Sequence, residues 1–308
     1  MSRFINKSFR SMSMLSIKEW NDLRYTIKFN LPRQEETITE TLLLNIKRHV
    51  PCIDKIIGFS KVAEGQNGAD FQWTIINHRN NISYNMRFQA KRIKNNLKTY
   101  DSIKQTIGKA KSSPMQIDVF QTSSEAANCV PLYIFFNYLN DLSIIPNNCC
   151  SIDIGCKNQK DYRNDYKVWS ISISPAKKVR CNLIKMPPTK NNKTKFNQKV
   201  STHIKDSMPI RCLFCPNYSG ITDDREKKLN GENFQDAIMQ KIRDLSQDMD
   251  ESEGYDPKLG VVDGIPENVQ EVLHTLKNFT DSPIPEERLT ALSQKFDGCG
   301  ALIITEIN

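Results

Sequence analysis

Asp70, Gln89 and Lys91 are the residues in this 308-residue chain whose types and spacing best suit chemistry. Side chains of a strand alternate between its two faces. In the run from Met86 to Arg92, Met86, Phe88 and Ala90 would therefore point into a core, while Arg87, Gln89 and Lys91 share the opposite face. An amide and an ammonium side by side on an internal strand are costly to bury unpaired. The pattern asks either for a function or for an edge strand with a solvated face. Upstream, Gly68-Ala69-Asp70 sets a carboxylate at the start of a second strand, after a glycine that permits a tight bend. A hairpin would bring Asp70 toward Gln89 and Lys91. The Asp70 carboxylate, the Gln89 amide oxygen and the Ala90 carbonyl make a hard oxygen-donor set for Mg²⁺ or Mn²⁺, cations that keep several waters. Lys91 would orient or activate an attacking water and stabilise charge developing on phosphorus. Such a set would suit metal-assisted hydrolysis of a phosphodiester.

Asp70 followed by Gln89-Ala90-Lys91 resembles the PD-(D/E)XK restriction-endonuclease-like superfamily, in the Gln-X-Lys form of the Mrr-type branch. With Gly68-Ala69-Asp70, Phe88 to Arg92, Tyr100 and Pro131-Leu132-Tyr133, the chain also resembles an uncharacterised bacterial family near that superfamily, across residues 30–175. The resemblance implies an α/β fold with a restriction-endonuclease-like core, a mixed central sheet flanked by helices. It further implies a Mg²⁺- or Mn²⁺-dependent endodeoxyribonuclease, with DNA favoured over RNA, in an antiviral or restriction-type setting. A homodimer fits this reading. Superfamily members often place a glutamate on the helix before the first strand, and here Glu35, Glu36 and Glu40 are available. At 100° per residue Glu35 falls on the face of Ile38, Leu42 and Ile46. It is the first choice, with Glu36 next because helix starts vary by a residue or two. The other role for these acids is to favour a helix N-terminus through its dipole. Two departures stand out. Gln89 replaces an acid, leaving the site one negative charge short, and Ala69 stands where the superfamily's proline would be.

Charge supports a polyanionic partner. The chain carries a formal +8, and residues 78–111 hold nine Lys or Arg against the single acid Asp101. Arg87, Arg92, Lys94 and Lys98 are candidate phosphate contacts, and Tyr100 and Gln105 sit where related nucleases carry polar residues beside the site. A solvated basic helix face is the plainer reading of this cluster.

The elements that must position these groups follow from periodicity. Residues 34–49 repeat apolar positions at three- and four-residue steps through Ile38, Leu42, Ile46 and His49, which predicts a helix ended by Pro51. Strands are expected at 53–62, 70–76, 84–93, 132–137 and 168–174, with a helix from Tyr100 through Lys109. Residues 1–15 are basic and serine-rich without an acid and read as a flexible N-terminus; a mitochondrial presequence is the sharper alternative. The nuclease core is placed at 16–185 and a basic linker with a CxxC segment at 186–218. An acidic, mainly helical C-terminal α/β extension is expected at 219–308, with helices near 233–248 and 266–279, a solvated loop at 249–256 and a final strand at 301–307. Its acids could restrain the basic face of the core.

No apolar run approaches the roughly 20 residues that span a bilayer, so no membrane partner is expected. Nine cysteines without a secretory signal read as reduced thiols in the cytoplasm. Cys212 and Cys215 form half of a zinc site, whose other ligands would come from Cys181, His203, Cys156 or the Cys149–Cys150 pair. Buried, reduced cysteines are the default. The rival to an enzyme is a non-catalytic nucleic-acid-binding or regulatory protein on a nuclease-like fold.

Overall fold

The serine-rich start is not a flexible tail. In the computed structural model it is the beginning of α1 (Ser2–Lys28), a helix of 27 residues. Ile5, Phe9, Met12, Leu15, Trp20 and Leu23 are buried along it at helical spacing. Ser8, Ser13 and Ser16 are buried with them. Their small side chains leave room for close packing, and the Ser13 and Ser16 hydroxyls donate to the carbonyls of Phe9 and Met12 one turn back. The structure describes residues 2–31, 33–59, 68–108, 113–146, 166–184, 196–215, 233–246, 256–280 and 282–307.

Strands and helices combine in a mixed α/β fold whose chain divides into two compact units. The division does not fall at 185 or 218. One unit gathers Met1–Cys52, Ala90–Lys104 and Leu132–Pro257, and the other Ile53–Gln89, Gln105–Pro131 and Lys258–Asn308.

In the first unit α1 packs against α2 (Glu35–His49) and against two 3₁₀ segments, Tyr166–Ser170 and Ile210–Phe214. The Trp20 ring lies 4.8 Å from that of Tyr138 and 5.6 Å from that of Tyr166. Strand β4 (Val130–Phe136), most of which belongs here, pairs antiparallel with β5 (Ile171–Pro175), and β5 with the two-residue β6 (Met208–Pro209). Helices α4 (Ala176–Ile184), α5 (Val200–His203) and α6 (Phe234–Ser246) complete it. His49, expected on the buried face of α2, is exposed after the last apolar contact. The expected helix from Tyr100 through Lys109 is absent among its described residues. Residues 101–108 turn instead, tied by single bridges such as Ile93 to Tyr100. The segment around 200–215, expected as linker, is folded and mostly buried.

In the second unit β2 (Phe71–Asn77) and β3 (Ile82–Arg92, of which this unit holds 82–89) form the expected hairpin, with Phe71 opposite Phe88 and Asn77 opposite Ile82. The short β7 (Val261–Asp263) pairs with the start of β3. The final strand β8 (Ala301–Ile307) lies parallel to β2 on one side and antiparallel to β1 (Lys55–Gly58) on the other. Residues 258–308 are thus part of this unit's sheet rather than an appended extension. A run such as Ala301-Leu302-Ile303-Ile304, apolar on both faces, suits a strand buried between neighbours. Helices α3 (Gln116–Ala126), α7 (Glu267–Asn278) and α8 (Glu286–Lys295) belong to the same unit. The loop expected at 249–256 lies almost wholly outside the described residues. No helix among the described residues is long and apolar enough to cross a membrane.

Candidate metal and nucleic-acid site

Strand β3 carries its polar stripe inside the protein. Asn85, Arg87, Gln89 and Lys91 alternate along it and are all buried, as are Gln72 and Thr74, which face Arg87 and Asn85 from β2. A solvated edge strand is thereby excluded. Each polar group must find a partner inside, and most do.

In the second unit the Gln72 amide nitrogen donates to Thr74 Oγ1, which donates to Asn85 Oδ1 at 2.7 Å. The Arg87 guanidinium donates to Gln72 Oε1, to the Ser123 and Phe296 carbonyls and, at 2.9 Å, to Asp297 Oδ2. Only 1% of Arg87 is exposed, so this residue, expected at a phosphate, ties internal elements together instead. The buried thiols of Cys129 and Cys299 lie near it, and burial pushes the Cys129 thiol up to about 12 despite the neighbouring guanidinium.

Gln89 differs from its neighbours. It is 2% exposed, and among the described residues its side-chain oxygen has no hydrogen-bond partner. Gly68 stands beside it with φ +74°, in the left-handed region that favours glycine. A Cβ there would come within 3.2 Å of Gln116 Cγ and 3.5 Å of Gln89 Nε2. Glycine thus answers both to the bend and to close packing over the Gln89 amide. Asp70 is half-buried, and its N–H donates to the Phe88 carbonyl at 2.8 Å. Phe88 is also the residue that Phe71 faces, so this bond holds Asp70 at the entry to β2. The Asp70 carbonyl accepts from the Gly300 N–H, which fixes this corner to the chain entering β8.

In the first unit Glu35 is the opening residue of α2 and is half-buried, whereas Glu36 and Glu40 are exposed. Glu35 Oε1 accepts from Lys91 Nζ at 3.2 Å and Glu35 Oε2 from the Arg92 N–H at 2.8 Å. Burial pushes the Glu35 carboxyl above its ordinary range, opposed by the Lys91 ammonium and the Arg92 N–H. Lys91 is 3% exposed, and this ion pair is what makes its burial tolerable. Because both carboxylate oxygens are engaged, the arrangement holds Lys91 in place.

The remaining expected contacts divide by exposure. Lys98 and Gln105 are exposed; Arg92 and Lys94 are half-buried, with Lys94 3.5 Å from Asp101. Tyr100 is fully buried. Its hydroxyl donates to Asn137 Oδ1 at 2.7 Å and its ring lies 4.4 Å from that of Phe135, so it is a core residue and not a surface contact. Sequence reasoning stopped the polar stripe at Arg87; Asn85 lies one alternation step earlier, and Gln72 and Thr74 continue the pattern across the hairpin. The Arg87–Asp297 pair, more than 200 residues apart, leaves no local signal.

Among the described residues no group of three or more His, Cys, Asp or Glu could hold a metal, and Cys212 and Cys215 are both buried. Cys149, Cys150 and Cys156 lie outside the described residues.

No curated protein and no solved structure matches the chain. Residues 9–297 match a family described as being of unknown function, DUF6615, and the chain belongs to that family.

Proposed function

We propose that the protein is a metal-dependent nuclease that hydrolyses phosphodiester bonds, with DNA as the favoured substrate. The observation that carries this reading is the pairing, on one face of β3, of an orphaned amide oxygen with a lysine fixed by a glutamate. A buried Gln89 oxygen without a partner is costly as it stands. An oxygen-ligated cation would satisfy it, and Asp70 and Gln89, both of the second unit, are the donors that would hold Mg²⁺ or Mn²⁺. When bound, such an ion supplies Lewis-acid polarisation of a phosphoryl oxygen and a more acidic water. Lys91 contributes its own positive charge toward the reacting phosphate, and Glu35 positions it. Glu35 is therefore a positioning residue in this scheme, while Glu36 has no part.

The full-length protein should nick supercoiled plasmid with Mg²⁺ or Mn²⁺ and not with EDTA. Asp70→Ala and Lys91→Ala should each lower the rate by about 10²-fold or more, with circular dichroism unchanged. A structured RNA of equal length, tested in parallel, decides the substrate. Equal cleavage by wild type and both variants would defeat the assignment. A restriction-type defensive role, a homodimer and a reducing cytoplasmic setting accompany this proposal; light scattering tests the dimer.

A second reading keeps the fold and removes the chemistry. Its support is the Glu35 carboxylate, whose two oxygens are already used by Lys91 and Arg92, together with the missing acid at Gln89. Binding of DNA without cleavage under either metal would favour this binding module.

A further inference from the structure

Helix α1 buries one face and leaves the other unusually equipped. Toward its C-terminal end, Tyr25 and Phe29 are more than half exposed, and their rings lie nearly parallel, 8° apart with centroids 6.3 Å apart. One turn of helix separates them, so both rings stand on the same outer face. Lys28 places its ammonium 5.3 Å from the Phe29 ring, and the Arg24 guanidinium lies 5.8 Å from the Trp20 ring. Both cations are exposed. Of the nearby acids, Glu19 is buried and bonded to Arg33 at 2.8 Å, and Asp22, one turn before Tyr25 on the same face, is paired with Lys18 at 3.1 Å.

A second element meets this end of the helix within the same unit. Asn95 Nδ2 donates to Asn30 Oδ1 at 3.4 Å, which brings the 94–99 turn beside the residues that follow Phe29. The turn is rigid at its tip, because Asn96 Oδ1 accepts from the N–H groups of both Lys98 and Thr99 and Leu97 takes a positive φ. It brings exposed Asn95 to this end of the helix, in a turn that also carries the exposed Lys98.

Exposed planar rings, flanking cations and rim amides are the three components of a surface for unpaired bases. Base faces stack on aromatic rings, cations follow the backbone, and amides can bond to base edges. A duplex hides its base faces and offers only phosphate to such a surface. A lipid surface would be served by apolar residues of any shape and has no use for the amides. We infer that the Tyr25–Phe29 platform binds single-stranded nucleic acid by base stacking. This deepens the nuclease reading by naming a substrate class with unpaired bases, and it is testable without cleavage.

The test is fluorescence anisotropy of the full chain in EDTA with three labelled probes: a mixed-sequence single-stranded DNA 20-mer, its duplex, and an abasic strand of equal length. Wild type should bind the single strand at least about tenfold tighter than the abasic strand or the duplex. The variants Tyr25→Leu and Phe29→Leu keep apolar area but lose the planar rings. Each should weaken binding to the single strand by roughly tenfold and leave the abasic strand unaffected. Both positions are exposed, and unchanged circular dichroism checks the fold. Plasmid nicking with Mg²⁺ is assayed alongside, so loss of cleavage and loss of the platform are read separately. Single-strand binding unchanged in both leucine variants, or duplex preferred over single strand, would overturn the inference. So would ring-dependent co-sedimentation with phosphatidylserine/phosphatidylcholine vesicles accompanied by no preference for the single strand.

Discussion

His203 shows how far a single residue can depart from its apparent role. In sequence it is a spare ligand for a cysteine pair; in the structure it is fully buried, with its ring 5.9 Å from Tyr100 and 6.0 Å from Phe135. Its Nε2 faces the Asn197 carbonyl at 3.0 Å, and burial lowers its pKa to about 4 from 6.5. The imidazole is neutral in the folded state, whereas the unfolded chain protonates it near 6.5. Between pH 6.5 and 4 the unfolded state therefore binds more protons, and stability falls as pH falls through that window, by roughly 3 kcal/mol in all for a shift of this size. Glu19 works in the opposite sense. Burial raises it to about 7 against the pull of Arg33, so its contribution is full below 4.5 and is lost as pH rises through 7. Urea denaturation of wild type and His203→Phe at pH 4.5, 5.5 and 7 separates the two: the substitution should flatten the acid-side loss and leave the Glu19 trend. An unchanged profile in His203→Phe would contradict the assignment.

At the scale of elements, apolar periodicity was legible wherever it was strong. Helix α2, the β2–β3 hairpin, α6, α7 and β8 all fall close to their expected positions. The failures have local causes. Residues 1–15 read as a flexible tail because serine counts as polar, yet Ser8, Ser13 and Ser16 are the residues that let Ile5, Phe9 and Met12 pack closely. The 100–109 segment looked helical because Ile103 and Tyr100 are buried three residues apart; turns and single bridges place them there as well. Within the candidate site, the β3 alternation was legible, and so was Glu35 from its helical phase. Engagement of both Glu35 oxygens was not, since it depends on where α2 begins relative to the Lys91–Arg92 backbone. A flexible tail could be removed at no cost. Deleting residues 2–14 should instead lower unfolding free energy by roughly 5 kcal/mol or more, since three large apolar side chains leave the core. A melting temperature within one or two degrees of wild type would restore the flexible reading.

For the whole molecule, the boundaries expected at 185 and 218 failed because sequence shows composition and not partners. Each unit is assembled from three separate stretches, so the chain crosses between them repeatedly. The acidic C-terminal third therefore does not stand apart as a regulator: residues 258–308 supply β8, and Asp297 pairs with Arg87. Truncation before residue 297 should abolish folding of the second unit, with loss of the near-ultraviolet signal of Trp73, whose ring N–H donates to Thr305. A truncated chain that retains that signal and a cooperative transition would show that β8 is dispensable.

The position of β8 also governs the order in which the protein can be built. Translation delivers β1 and β2 early and β8 only after some 200 further residues, a stretch that takes on the order of 10 s or more at ribosomal speeds. Throughout that interval β1 and β2 lack the neighbour that separates them, and each presents a row of unpaired backbone groups. A nascent chain stalled in that interval carries two bare strand edges. Such chains are natural clients for a ribosome-associated chaperone, and completion of β8 is the step that ends their dependence on it.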